Sequence, residues 1–214
     1  MYNLYLILMK DLIKAFDNQK IIKINERDTY LINTLTDHIP STTPLIMKQV
    51  INGVIDSLGT DLNRINKIVG EEERGGYIAA CLALAVDLPF CLAKQNPCKI
   101  PGEKGVKFSI SYNKNMSLYF NGLLGNDRVV IVDDIIDSGK TMTAMIKTLQ
   151  QMNVKIIRAI AIAERVEKEG LNKIKEETGI EVNTLLKINT SGRRSVVVNK
   201  SSFSNENIYH KNRF

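Results

Sequence analysis

The stretch Val129–Met142, VVIVDDIIDSGKTM, constrains the fold of this chain more than any other segment. Val129 to Val132 is a short unbroken apolar run, the pattern of a parallel strand covered on both faces, and it ends in two adjacent carboxylates, Asp133 and Asp134. From Met142 the apolar residues Met142, Met145, Ile146 and Leu149 recur at helical spacing, so Asp137 to Thr141 is predicted as a turn from strand to helix. Open α/β sheets bind ligands at the carboxyl ends of their strands, where such a turn offers unpaired N–H groups and the positive end of a helix dipole. Ser138 and Thr141 add hydroxyl donors, so a phosphate fits the turn. The two upstream carboxylates suit ribose hydroxyls or a hydrated divalent cation.

Gly139-Lys140-Thr141 matches the end of a P-loop, but G-x-x-x-x-G-K-[ST] demands a glycine at position 134, where Asp134 stands. An acidic side chain there blocks close approach of the backbone to phosphate. The segment instead resembles the phosphoribosyl-diphosphate (PRPP) signature of the type I phosphoribosyltransferases: four apolar residues, two acids, then a small Gly/Ser/Thr loop. The resemblance implies an α/β, Rossmann-like type I phosphoribosyltransferase fold, with a central parallel sheet, flanking helices, a lid hairpin and a small hood. It also implies that PRPP is bound by Asp133, Asp134, Asp137, Ser138, Gly139, Lys140 and Thr141, with Mg²⁺ held by Asp133 and Asp134.

The strand-turn-helix logic recurs upstream. Thr43 to Leu58 is predicted as an amphipathic helix, Ile65 to Val69 as a strand and Tyr77 to Val86 as a helix, with Gly70–Gly76 between the last two. In type I enzymes the corresponding loop lies under the diphosphate, and the adenine-specific branch has an Arg-Gly pair where this chain has Arg74-Gly75. The resemblance therefore implies diphosphate contacts from Glu73, Arg74 and Gly75. A solvated acidic turn capping a helix is the competing reading, because three glutamates repel diphosphate unless a metal ion or Arg74 intervenes.

Leu88 to Ala93 reads as a further strand, followed by a long polar connection from Lys94 to Tyr119. Connections of that length inside a domain are usually functional or disordered. Its Lys99-Ile100-Pro101-Gly102-Glu103 is similar to the K-L-P-G segment of the lid in purine phosphoribosyltransferases, with Phe108–Tyr112 and Ser117–Phe120 as hairpin strands; Lys94, Lys99 and Tyr112 are the candidate lid residues. A lid suits a ribosyl cation-like transition state, which water would capture. Ile156–Ala163 and Val182–Ile188 read as the remaining strands, with a Lys/Glu-rich helix over Val166–Thr178 between them. GIEVNTLLKI is most similar to the archaeal hypoxanthine phosphoribosyltransferases and their adenine-type relatives, and the hood is expected around Leu35–Pro40 with part of the C-terminal tail.

Base choice turns on two positions. A 6-oxopurine loses a ring proton as it attacks ribose C1, and needs an acceptor. Asp137 stands where the hypoxanthine-guanine enzymes place their catalytic acid/base, a position at which adenine enzymes carry a small residue and archaeal hypoxanthine enzymes commonly a serine. Where the adenine enzymes have a lid glutamate, within S-L-E-Y, this chain reads Ser109-Ile110-Ser111-Tyr112. Both departures imply transfer to hypoxanthine or guanine, with adenine as the alternative substrate. The other role open to Asp137 is a helix N-cap, which is compatible with the first.

Composition agrees with one soluble enzyme domain: 214 residues, 44% of them hydrophobic, bury one substantial core, and no apolar run of membrane-spanning length occurs. Cys81, Cys91 and Cys98 are odd in number and lack C-x-x-C spacing, which argues against zinc and against a disulfide framework and fits a reducing cytoplasm. Residues 1–8 are expected as an N-terminal extension, 9–192 as the phosphoribosyltransferase domain, and 193–214 as a basic tail carrying +4 of the net +6 charge. That tail lacks the aromatic-basic interleaving of a nucleic-acid arm and is expected to be solvated or to cover an oligomer interface. A PRPP- or nucleotide-sensing transcription regulator is the alternative from another class of function. It needs a DNA-binding module, for which about 35 residues before Thr36 give little room. The family resemblance implies a homodimer, with PRPP and a purine base as partners and no membrane or nucleic acid.

Overall fold

The apolar run that begins at Val129 extends on both sides into a nine-residue strand at the centre of a mixed sheet. A computed structural model of the protein describes residues 9–25, 28–111 and 114–199. In chain order they form α1 (Lys10–Phe16), β1 (Ile21–Lys23), β2 (Thr29–Leu31), α2 (Thr34–Asp37), α3 (Pro44–Leu58), β3 (Lys67–Glu71), α4 (Gly75–Val86), β4 (Phe90–Lys94), β5 (Lys104–Ser111), β6 (Lys114–Phe120), β7 (Arg128–Ile136), α5 (Lys140–Gln151), β8 (Lys155–Arg165), α6 (Gly170–Thr178), β9 (Val182–Asn189) and β10 (Val196–Asn199). The main sheet has the order β10-β9-β8-β7-β3-β4-β6-β5. Its middle strands β9, β8, β7, β3 and β4 are parallel, while β10 and the β5–β6 hairpin close the two edges in antiparallel fashion.

Alternation along β7 explains why its sequence is apolar without a break. Val130 and Val132 pack with Val50, Val54, Ile78 and Leu82 of α3 and α4, whereas Val129 and Ile131 pack with Met142, Met145 and Ile146 of α5 and Ile174 of α6. A strand covered on both faces has no position for a polar residue until it leaves the core. Helix α3 begins where the sequence signals it: Thr43 accepts from the N–H of Ile46 through Oγ1, Pro44 fills the first turn, and Gly59 follows at φ +51°. The helix expected over Val166–Thr178 is instead broken. Residues 166–168 make a 3₁₀ turn, Glu169 adopts φ +55°, and α6 starts afresh at Gly170.

The hood is a small second layer: the β1–β2 pair, the short α2 and the loop through the cis Ile39–Pro40 peptide. The C-terminal segment joins it earlier than expected. Arg194 bridges Lys20, Ser195 is buried, and Val196–Asn199 forms β10, so the solvated tail does not start at Arg193. The expected extension over residues 1–8 and the tail beyond Asn199 lie outside the described residues. Among the described residues, no helix is long and apolar enough to cross a membrane, and Cys81, Cys91 and Cys98 are free.

Candidate active site

Parallel strands end on one edge of the sheet, and there β3, β7 and β8 deliver Glu71, the pair Asp133–Asp134 and Arg165 to neighbouring positions. A cavity of ≈ 240 Å³ opens at that edge, lined by Glu73, Arg74, Asp133, Asp134 and the whole turn Asp137–Thr141. Two features predicted from separate parts of the sequence, the carboxylate pair and the Arg74 loop, thus face one space.

The turn is shaped by glycine. Gly139 sits at φ +80° as the residue before α5, a conformation that a side chain resists. Gly170 backs it: a Cβ there would lie 2.2 Å from the carbonyl oxygen of Asp137 and 3.0 Å from the nitrogen of Gly139. Asp137 is not the cap of α5. Its carboxylate is half-exposed to the cavity and accepts from Arg165 Nη1 at 3.0 Å.

Asp133 and Asp134 lie within the last residues of β7 rather than beyond it, and both are buried. The N–H of Asp134 donates to Asp133 Oδ1 at 2.9 Å. Asp134 Oδ2 is buried and finds no hydrogen-bond partner among the described residues; Arg74 Nη1 approaches it to 3.8 Å. Burial away from water pushes the Asp134 carboxyl up to about 6, against the pull of Arg74, and pushes Asp133 well above its ordinary range, with the neighbouring Asp134 charge adding to the effect. An unpartnered oxygen on a pair of desolvated carboxylates is the donor set a hard divalent cation or a pair of hydroxyls satisfies.

Arg74 ties this pair to the hood. Its Nη2 donates to Tyr30 Oη at 2.5 Å and lies 4.0 Å from Asp37, while Tyr30 Oη donates to Asp37 Oδ1. Gly75 does not line the cavity. It lets the loop press on β7, since a Cβ there would stand 3.1 Å from Asp133 Oδ1. Two of the loop's amides are taken: Glu71 Oε2, buried, accepts from the N–H groups of Glu73 (3.0 Å) and Arg74 (3.1 Å). Arg74 is the loop's cationic side chain on the cavity, and the helix that follows has no side-chain cap.

Of the candidate lid residues, Lys94 and Lys99 do not line the cavity. Lys94 ends β4, 3.7 Å from Glu72, and Lys99 is exposed in a turn whose N–H groups at Cys98 and Lys99 donate to Glu103; neither lines the site, and Tyr112 lies outside the described residues. Sequence reasoning missed Arg165, Glu71, Tyr30 and Gly170. A charged residue closing the apolar run of β8 was a visible signal for Arg165; for Gly170 there was none, because its role exists only in the contact between α6 and the turn.

An α/β protein with a glycine-shaped turn and a carboxylate pair at the ends of its strands is what fold and site define. More particularly, a model of the phosphoribosyl transferase domain family matches residues 46–191, and the chain belongs to that family. The hypoxanthine/guanine phosphoribosyltransferase of Methanothermobacter marburgensis is 30% identical over 190 residues, covering 89% of this chain and 96% of that protein. The protein of the same name from Methanococcus voltae is 32% identical over 191 residues, 89% and 98% of the two chains. Among solved structures, the adenine phosphoribosyltransferase of Saccharomyces cerevisiae superposes with a TM-score of 0.67 at 22% identity, covering 82% of this chain and 97% of that one. The Trypanosoma brucei enzyme, solved with AMP, pyrophosphate and ribose-5-phosphate, gives 0.65 at 20% identity, with 84% and 79% covered. At such identities the structural likeness speaks to the fold.

Proposed function

We propose that the chain transfers the phosphoribosyl group of PRPP to a 6-oxopurine, hypoxanthine or guanine, releasing diphosphate. The observation that carries this reading is the cavity shared by the Asp137–Thr141 turn, the buried Asp133–Asp134 pair and Arg74. The archaeal relatives named for hypoxanthine and guanine support the choice of base.

In this reading Ser138, Gly139, Lys140 and Thr141 take the 5′-phosphate with amides, hydroxyls and one ammonium group. Asp133 and Asp134 hold the ribose hydroxyls or the hydration shell of Mg²⁺. The fit to Mg²⁺ is good, because this ion is usually held by one or two carboxylates with water and substrate phosphates completing its shell, and no larger ligand cluster occurs among the described residues. When bound, the ion neutralises charge on the departing diphosphate. Arg74, flanked by Glu73 and Gly75, meets the diphosphate from the opposite wall. Asp137 accepts the purine proton as the base attacks ribose C1. The β5–β6 hairpin is the proposed lid.

We further propose a cytoplasmic homodimer, without membrane or nucleic acid in its function; sedimentation of the full chain tests the assembly. A panel of hypoxanthine, guanine, xanthine and adenine, each incubated with PRPP and Mg²⁺, tests the reaction through nucleotide and diphosphate formation. Turnover of hypoxanthine and guanine is expected. Failure with all four bases ends the enzyme reading, and adenine alone as substrate moves the base assignment.

A further inference from the structure

We propose that Arg165 is a positioning residue that couples the hood to the Asp137 carboxylate through one buried guanidinium. The inference rests on the proposed transfer with Asp137 as base. Arg165 ends β8, its side chain is 5% exposed, and it does not line the cavity, so it acts on a substrate only through a neighbour.

The guanidinium is filled from three directions. Nη1 donates to Asp137 Oδ2 at 3.0 Å and to the carbonyl oxygen of Thr29 at 3.1 Å. Nη2 donates to Thr29 Oγ1 at 2.6 Å, and Nε donates to Thr190 Oγ1 at 2.7 Å. Thr29 opens β2 of the hood, and Thr190 follows β9, so the planar fork is clamped between hood and sheet. A guanidinium bonded on every side has one orientation, unlike an ammonium group.

Charge neutrality is supplied elsewhere. Glu167 Oε1 lies 3.3 Å from Nε, and the Glu167 carboxylate also accepts from the N–H and hydroxyl of Thr190. With the partly buried Glu167 as counter-ion, the half-exposed Asp137 is not needed to compensate Arg165; the Nη1 bond serves instead to aim Asp137 at the cavity. The same nitrogen holds Thr29. Seating the hood and placing the carboxylate are therefore one event, and a hood displaced from Arg165 leaves the proton acceptor without its fixed bearing.

The test uses the full chain with saturating PRPP and Mg²⁺. Arg165→Lys keeps a charge and loses the fork; Thr29→Val keeps the side-chain shape and loses Oγ1, and serves where the first variant fails to fold. We expect kcat with hypoxanthine to fall by roughly 10–100-fold in Arg165→Lys and less in Thr29→Val, with the KM for PRPP changed by under about two-fold. In an Asp137→Asn background neither substitution should lower kcat further, because the group that they place is already disabled. Parent-like kcat in both folded variants, or losses that multiply in the double variants, overturns the proposal. A readout independent of turnover is amide exchange over residues 28–31, which should accelerate in Arg165→Lys and in Asp137→Ala while β7 and β8 stay protected. Unchanged exchange in both overturns the coupling. Accelerated exchange in a chain whose parent turns over no base upholds the coupling and sinks the transfer reading alone.

Discussion

Gly170 packs so closely against Asp137 that a single added Cβ would stand 2.2 Å from the Asp137 carbonyl oxygen and 2.7 Å from Ile136 Cγ2. The first residue of α6 is thus a floor under the 137–141 turn, and its lack of a side chain sets the turn's position.

Gly170→Ala is expected to push residues 137–139 out of place. Overpacking against backbone costs about 1–3 kcal/mol, since the carbonyl cannot rotate aside as a side chain would. Calorimetric titration with PRPP should show weakened binding together with a lowered melting temperature. Gly179→Ala is the control. There φ is +72° with open space around the Cβ, so the cost is conformational strain of about 1–2 kcal/mol with PRPP affinity intact.

The buried carboxylates make stability fall with rising pH. Asp134 is raised in the folded chain from an ordinary 3.8 to about 6, so between those values the folded state holds more protons than the unfolded one. Asp134's contribution is fully present below about 3.8 and is lost as pH passes about 6; Asp133 is shifted in the same direction. Asp134→Asn removes the titration. Urea melts should show the variant gaining on the parent by on the order of 2–3 kcal/mol between pH 4 and pH 7.5. Added Mg²⁺ should stabilise the parent more at pH 8 than at pH 5 and the variant little at either; a flat difference across pH refutes the assignment.

Asp137→Asn keeps the side-chain size and removes the proton acceptor. Steady-state assays with hypoxanthine should show kcat lower by roughly 10²–10⁴, while PRPP affinity stays near the parent value. Parent-rate turnover with an unchanged pH profile would mean that Asp137 has no part in proton transfer.

Two shortened chains separate the contribution of the sheet edge from that of the residues after it. Ending at Gly192 deletes β10 and the bonds that Ser195 makes to Phe16, Asn18 and Gln19, together worth on the order of 3 kcal/mol. Ending at Asn199 keeps them all. Thermal melts should place the second chain with the full-length protein and the first well below it.

The architecture was legible because its signals are local. Periodicity 3.6 in α3 and α5, the cap at Thr43 and the unbroken apolar run of β7 each follow from residues a few positions apart. The β10 edge was less so, since Val196–Val198 is a β-branched run of only three residues in an otherwise basic and polar segment, and pairing with β9 is what makes it a strand. The same division runs through the site. Asp133, Asp134 and the 137–141 turn are contiguous and readable, whereas Arg165, Tyr30 and Glu71 come together from three distant segments. Lys94 and Lys99, the candidate lid residues within the described part, lie in this structure beside Glu72 and Glu103 and away from the cavity lining.

The first and last described segments of the chain are bound to each other. Asn18 donates to the carbonyl of Ser195, Ser195 donates back to Gln19, Ile21 to Arg193, and Val197 to the Asp17 carboxylate. These contacts close a loop spanning nearly the whole chain, and loops of that size are among the slowest to form. During synthesis, then, the N-terminal helix and the hood strand behind it wait without their final partner until the other end has left the ribosome. A chain ending before residue 193 would keep the hood's bonds to Arg165 and Arg74 and lose those of residues 17–21, a form in which limited proteolysis should cut first near residues 17–20.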